Sequence, residues 1–206
     1  MEEFDRKQHW DKIYQTNEPS KLSWYQPSPF TSMNFIKQAK IPVTAKIIDI
    51  GGGDGFFVDH LLDLGYQDIT ILDISEVALK RVKQRLGNRA AKVKWIVSDV
   101  TAFRPMEKFD FWHDRAAFHF LTKENEIANY LETLQQAICP EGFLVIGTFS
   151  DHGPEMCSGI KIKQYSESTM TSMLNRYFEK IECVTVDHYT PLGKIQNFIF
   201  CSFSRL

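Results

Sequence analysis

The sequence predicts an α/β fold built on a mostly parallel sheet, and three observations carry that expectation. Between Lys46 and Leu144, short β-prone apolar runs alternate with segments of helical period, the pattern of strands joined by crossover helices. A glycine-rich turn, Asp49-Ile50-Gly51-Gly52-Gly53-Asp54-Gly55, stands where the first such run gives way to the first helix. Toward the C-terminal end, two apolar runs are separated only by Thr190-Pro191-Leu192-Gly193-Lys194. That is too short for a parallel crossover, so the sheet should end in an antiparallel hairpin.

In chain order, an arm up to residue 45 comes first. Its Trp10, Ile13 and Tyr14 recur at i, i+3, i+4, the apolar face of a docking helix. Lys46 to Ile50 reads as the first strand, followed by a helix through Phe57, Val58, Leu61, Leu62 and Leu64 that Gly65 ends. A second strand, Ile69 to Asp73, leads to Ser75 as N-cap of a helix whose Leu79, Val82 and Leu86 face the sheet before Gly87 stops it. Val93, Trp95 and Val97 alternate along a third strand ending at Ser98-Asp99, and Phe109 to Asp114 makes a fourth. Thr122 is placed to cap a long helix striped by Ile127, Leu131, Leu134 and Ile138, which Pro140 and Gly142 end before a fifth strand, Phe143 to Phe149. After a polar stretch from Ser150 to Ser168 come a short helix through Met170, Met173, Leu174 and Tyr177, then the hairpin strands, Lys180 to His188 and Gln196 to Phe203.

The chain has 206 residues, enough for one domain with a sizeable core and too few for two of ordinary size. With 43% hydrophobic and 24% charged residues it should fold. A net charge of -2 gives no general attraction to nucleic acid or to an anionic membrane. The polar, acidic start, Met1 to Arg6, has neither the basic residues nor the apolar run of a signal peptide, and no stretch could span a bilayer, so a cytoplasmic location is expected. Cys139, Cys157, Cys183 and Cys201 are dispersed without a CxxC pair, which suggests four reduced thiols and neither a disulfide framework nor a metal site.

A glycine turn between strand and helix lets a ligand approach the backbone and aims free helix N–H groups at its polar atoms. Here the glycines are Gly51, Gly53 and Gly55, and Phe56 stands where a dinucleotide fingerprint needs its third glycine. Asp73, at the end of the next strand, suits the two ribose hydroxyls of an adenosine, a group shared by NAD and S-adenosyl-L-methionine. Three features separate the two cofactors: Asp99, able to accept from an adenine amino group; the terminal hairpin, foreign to a dinucleotide-binding sheet; and the lack of residues for a separate dehydrogenase domain.

Taken together, Ile48 to Gly55, Leu72-Asp73, Ser98-Asp99 and Cys139-Pro140-Glu141-Gly142 resemble the ordered motifs of class I S-adenosylmethionine-dependent methyltransferases, over the chain from Lys46 onward. The resemblance implies a Rossmann-like fold with helices on both faces of a seven-stranded sheet, order 3-2-1-4-5-7-6, strand 7 antiparallel. It implies that Asp49 and Gly51, Gly52, Gly53 and Gly55 cradle the methionine moiety, that Asp73 with Ile74 beside it holds the ribose, and that Asp99 with Val100 holds the adenine. The chain also resembles a group of small bacterial class I methyltransferases through its Ser-Trp-Tyr arm, Gly153 to Gly159 and the segment His188 to Gly193.

The methyl acceptor is harder to read, because methyl transfer requires alignment and exclusion of water but no fixed side-chain type. Ligands of open α/β sheets bind outside the carboxyl ends of the strands, which puts Trp112 to His119 at the rim. Trp-x-Asp-Arg-x-Ala there loosely resembles a Trp-Asp-Arg-Gly-Ala segment of thiopurine methyltransferases with His113 inserted. It implies that Asp114 and Arg115 line the cofactor or acceptor pocket, so Asp114, Arg115 and His119 are the catalytic candidates, with His113 on the cofactor. The alternatives are a surface pair for Asp114 and Arg115 and an exposed turn for His119. Trp24 and Tyr25, in a Ser/Pro-bounded loop, serve either as aromatic cover over a sulfonium or as packing. Cys157 and His188 invite a thiolate beside a base.

The expected protein is therefore a methyltransferase acting on an O, N or S atom of a small-molecule acceptor, a monomer or homodimer without metal. Three rivals remain to be weighed, the last of them disfavoured by Phe56 and the terminal hairpin. The His9-Trp10-Asp11 arm also resembles protein lysine methyltransferases, and a cofactor-binding protein without catalysis or a nicotinamide oxidoreductase would share the glycine turn.

Overall fold

The structure is a computed structural model and describes residues 4–206; Met1 to Glu3 of the acidic start lie outside the described residues. The arm holds α1 (Arg6–Thr16) and α2 (Phe30–Gln38). The Asp5 carboxylate accepts from Gln8 N at 2.9 Å at the start of α1, and the Asn17 amide returns to the Ile13 carbonyl at its end, so side chains satisfy orphan groups at both ends. Then follow β1 (Lys46–Ile50), α3 (Phe57–Asp63), β2 (Asp68–Asp73), α4 (Glu76–Leu86), β3 (Val93–Val97) and β4 (Phe109–Arg115). The remainder is α5 (Glu124–Ala137), β5 (Ile138–Phe149), a small hairpin of β6 (Met156–Cys157) and β7 (Ile160–Lys161), α6 (Glu167–Leu174), β8 (Phe178–Tyr189) and β9 (Ile195–Arg205).

Seven strands form one sheet in the order β3-β2-β1-β4-β5-β9-β8, with β9 antiparallel to both neighbours. Set apart from β6 and β7, this is the 3-2-1-4-5-7-6 order expected, with the last strand reversed. Alternate residues feed two cores. Ile47, Ile71, Phe111 and Val145 pack under α2, α3 and α4, whereas Ile48, Trp112, Leu144 and Ile146 pack under α5 and α6. Strand order turns around between β1 and β4, and the crevice at the carboxyl ends of those strands is where open α/β sheets take their ligands.

Local signals act as read at Ser75, whose hydroxyl accepts from Ala78 N at 3.2 Å, and at Gly65 and Gly87, both left-handed with φ of 85° and 55°. Four expectations change. Lys123, without a side-chain bond, stands at the N-cap of α5 instead of Thr122, and Ile138 opens β5 instead of closing the helix. Ile138 is buried in the same core as Leu134, so apolar period alone could not separate its helical from its extended placement. α6 stops at Leu174, leaving Tyr177 between it and β8. Cys183 and Cys201 form a disulfide instead of two thiols, because they stand opposite each other in the β8–β9 register. Dispersal along the sequence carries no information about that cross-strand alignment.

Candidate functional site

The carboxyl end of β1 enters the glycine turn with left-handed backbone at Gly51 and Gly53, φ 62° and 53°, a region that L side chains rarely adopt. Space gives a second reason for glycine. A Cβ on Gly51 would stand 2.5 Å from Ala117 Cβ, and one on Gly53 would stand 2.5 Å from the Tyr14 hydroxyl. The turn is pinned to β2: Gly51 N donates to the Leu72 carbonyl at 2.8 Å and Gly53 N to Asp73 Oδ2 at 2.8 Å. Asp73 Oδ1 accepts from Ser75 N at 2.7 Å. Burial pushes the Asp73 carboxyl up to about 7, with Asp49 and Asp54 raising it further and the two N–H donors pulling it down.

A deep cleft opens above this turn and takes in about 1260 Å³ of empty space, its mouth included. Its floor carries Asp49, Gly51, Gly52, Gly53, Gly55, Asp73 and Ile74; Val100 closes one side, and His113 and Arg115 of β4 rise from another. His113 Nδ1 lies 2.6 Å from Asp49 Oδ1 and its Nε2 lies 2.8 Å from Ser32 Oγ of α2, while Phe57 packs on the ring at 4.2 Å. The imidazole is thus held on both nitrogens.

The roof comes from the arm. Trp10 meets Trp24 edge-on at 5.7 Å and Phe120 at 4.9 Å, and Tyr14 meets Trp24 at 5.8 Å. All four rings line the cleft, with Tyr25 beside them. Asp11 accepts from Ser75 Oγ at 2.6 Å, fastening α1 to the start of α4, and His188 of β8 bonds the Ser23 carbonyl at 2.7 Å. Burial pushes the Tyr14 phenol well above its ordinary range, with Asp73 and Asp54 adding to the shift.

The family profile described as a methyltransferase domain matches residues 47–142, the segment from β1 through the glycine turn to the start of β5. The match takes in just under half of the chain. Among curated proteins the chain is 30% identical over 127 residues to the eEF1A lysine and N-terminal methyltransferase of Mus musculus, covering 61% of this chain and 18% of that protein. It is 29% identical over 119 residues to Nodulation protein S of Rhizobium tropici, covering 58% of this chain and 49% of that one. The chain thus spans under a fifth of the first of these relatives and about half of the second. Its fold matches that of the N-methyltransferase NodS from Bradyrhizobium japonicum, solved with S-adenosylhomocysteine, at a TM-score of 0.72 and 16% identity over 98% of this chain and 99% of that one. A structure from work on conversion of a disulfide bond into a thioacetal group during echinomycin biosynthesis aligns at a TM-score of 0.78, with 19% identity over 97% and 92% of the two chains.

Within the matched segment, three residues expected at the site are placed elsewhere. Asp99 lies outside the cleft: Oδ2 takes Arg6 Nη1 at 3.0 Å and Oδ1 takes the backbone N and hydroxyl of Thr101. It is Arg6 that reaches the cleft. Asp114 is buried on the opposite face of β4 from His113 and Arg115, as strand alternation requires. There it accepts from Ala117 N, Phe118 N and the Tyr130 hydroxyl, and Tyr130 in turn accepts from Trp112 Nε1. Burial raises the Asp114 carboxyl to about 6 against the pull of these donors. Its work is to hold the turn after β4, where Ala116 is left-handed with φ 68°.

His119 is not exposed and does not line the cleft; it is fully buried among Phe120, Phe149 and Phe198. Its Nδ1 accepts from Phe149 N at 3.2 Å, and burial drives it down to about 3, so it is a neutral imidazole with the proton on Nε2. Cys157 and His188 form no thiolate-base pair. Burial raises the Cys157 thiol, whose partner is Ser158 at 3.8 Å, while His188 is spent on Ser23. Sequence reading missed Tyr14, Ser32, Gln196 and Phe198, all lining the cleft. The i, i+4 spacing of Trp10 and Tyr14 marked a packed face; that the face is also the roof depends on how α1 crosses α4. Among the described residues no helix is long and apolar enough to cross a membrane, and no group of three or more His, Cys, Asp or Glu is placed to hold a metal.

Proposed function

We propose that this protein is an S-adenosylmethionine-dependent methyltransferase of small molecules, with the arm up to residue 45 acting as the lid of one domain with the rest of the chain. The observation that carries the reading is the cleft itself, acidic below and aromatic above, on a turn where any Cβ at Gly51 or Gly53 would collide. The residues fit this cofactor. Each Asp73 oxygen accepts a single backbone N–H and keeps a lone pair for a ribose hydroxyl. The rings of Trp10, Tyr14 and Trp24 offer faces and edges to a cation and exclude water. When bound, S-adenosylmethionine would supply an electrophilic methyl carbon on its sulfonium for in-line attack by an acceptor lone pair. Asp49, the glycine turn and Ile74 on the floor of the cleft would hold the cofactor, with Val100 available to border its adenine. His113, clamped by Asp49 and Ser32, keeps the β4 side rigid.

The names of several curated relatives favour a second reading, transfer to a protein lysine. Arg115 weighs against it, since its positive charge at the cleft repels a lysine ammonium. Calorimetry with S-adenosylmethionine, S-adenosylhomocysteine and NAD, followed by turnover over thiol, phenol, amine and protein acceptors, tests both readings. Binding of the two sulfur nucleosides and turnover of a small acceptor is expected; binding of NAD alone would overturn the proposal. Gly53→Val, with its side chain driven into Tyr14, should reduce binding of S-adenosylhomocysteine at least tenfold.

A further inference from the structure

Arg115, at the last position of β4, differs from the other arginines of the cleft region. Arg6, Arg81 and Arg85 each meet a carboxylate within 3.3 Å. Arg115 meets none within 4.0 Å among the described residues, and its one hydrogen bond is a long donation from Nη1 to the Trp24 carbonyl at 3.3 Å. Its guanidinium lies 5.2 Å over the Phe198 ring and stands at the junction of two cavities. One is the cleft; the other is a second hollow between the arm and the β8–β9 hairpin, walled by Tyr25, Pro27, Thr31, Phe198 and Phe200. Asp49 of the cleft is engaged with His113, and Asp187 of the second hollow with the Asn197 amide at 2.6 Å. The remaining guanidinium donors are open to the cavities, and their planar fork matches a carboxylate.

Resting on the methyltransferase reading, we propose that Arg115 anchors the methyl acceptor and that the acceptor is a small planar molecule bearing a carboxylate. The carboxylate takes the free N–H groups of Arg115, the ring lies against Phe198 at the junction of the cavities, and the nucleophilic atom points into the cleft. Arg115 is on this assignment a specificity residue for an anionic acceptor.

The test uses the full chain saturated with S-adenosylhomocysteine. Benzoate, salicylate, anthranilate and indole-3-carboxylate are titrated against it, each beside its neutral amide, with tryptophan fluorescence and calorimetry as readouts. At least one carboxylate should bind, at least tenfold tighter than its amide. Arg115→Met should remove that preference, Arg115→Lys should restore part of it, and both should bind S-adenosylhomocysteine within twofold of the parent. Equal binding of acids and amides overturns the proposal in the unmodified protein, whatever the variants do. So does binding of none of the four acids at millimolar concentration, and so does a tenfold loss of S-adenosylhomocysteine affinity in Arg115→Met, which would assign the guanidinium to the cofactor's own carboxylate. Failure of S-adenosylhomocysteine to bind the parent protein is a separate result that overturns the donor reading and this inference with it.

Discussion

Asp73 sits where three demands meet: it pins the glycine turn through Gly53 N, it caps the approach to α4 through Ser75 N, and it faces the cleft. Burial holds its carboxyl near 7, so part of it is protonated at neutral pH. A ligand offering two hydroxyl donors binds the ionised form better, and its affinity must rise as pH rises through that value. S-adenosylhomocysteine should therefore bind about tenfold tighter at pH 8 than at pH 6, a slope of up to tenfold per pH unit below 7. Asp73→Asn should bind weakly at both and lose the slope. Calorimetry in buffers of different ionisation enthalpy reads the proton released; a pH-independent parent affinity would remove Asp73 from the ligand. Asp114 answers a different question. Its pKa is raised from 3.8 to about 6, so the stability it contributes is fully present below the unfolded value and is lost as pH rises through 6. Asp114→Asn keeps an acceptor for Ala117 and Phe118, so its deficit relative to the parent in urea unfolding should shrink from pH 4.5 to pH 8. Asp114→Ala leaves the buried Phe118 N–H, the part-buried Ala117 N–H and the Tyr130 hydroxyl without their acceptor and should cost about 3 kcal/mol.

At the scale of elements, the parallel part of the sheet was readable because each strand is a short apolar run and the helices between are bounded by residues with one job: Ser75 at a cap, Gly65 and Gly87 in left-handed turns. The glycine turn and Asp73 were readable for the same reason, since left-handed backbone and close approach admit few alternatives. What lay beyond sequence was direction. Period two along β4 puts His113 and Arg115 on one face and Asp114 on the other, but which face looks into the cleft follows from how α2 and the arm cover the sheet. His119 could not be placed because burial of its turn depends on Phe149 and Phe198, distant in the chain. The arm is the element whose proposed role is most directly checked. It is fastened by polar links from Arg6 to Asp99 and Glu126, from Asp11 to Ser75 and from Ser23 to His188, and between them the loop after α1 is exposed at Lys21. If the arm closes over a bound nucleoside, S-adenosylhomocysteine should slow tryptic cleavage after Lys21 severalfold. Trp24→Ala should abolish that protection and speed ligand release. An unchanged cleavage rate at saturating ligand would make the arm a fixed wall.

At the scale of the molecule, the sheet divides two apolar cores, and its outer edge is the hairpin of β8 and β9. β8 pairs on one side only and exposes Ile181 and Tyr189, so it is the strand with least support from the rest of the sheet. The Cys183–Cys201 bond ties it to β9 halfway along their register. A bridge across 18 residues restricts the unfolded chain by at most about 3 kcal/mol on the loop-entropy model. The hairpin turn already keeps the two strands close, so the gain should be smaller. A reducing cytoplasm would hold such a pair as thiols, which makes thiol count informative as well as stability. In denaturant without reductant, Cys139 and Cys157 alone should react with a thiol reagent; after reduction all four should react. Reduction, or Cys183→Ser, should lower the unfolding temperature by several degrees. Binding of S-adenosylhomocysteine should persist, because Gln196 and Phe198 reach the cleft from β9, which is paired to β5 along Phe143 to Phe149 independently of β8. Four reactive thiols before reduction would mean that strand pairing and the buried Phe198, Phe200 and Phe203 hold this edge unaided.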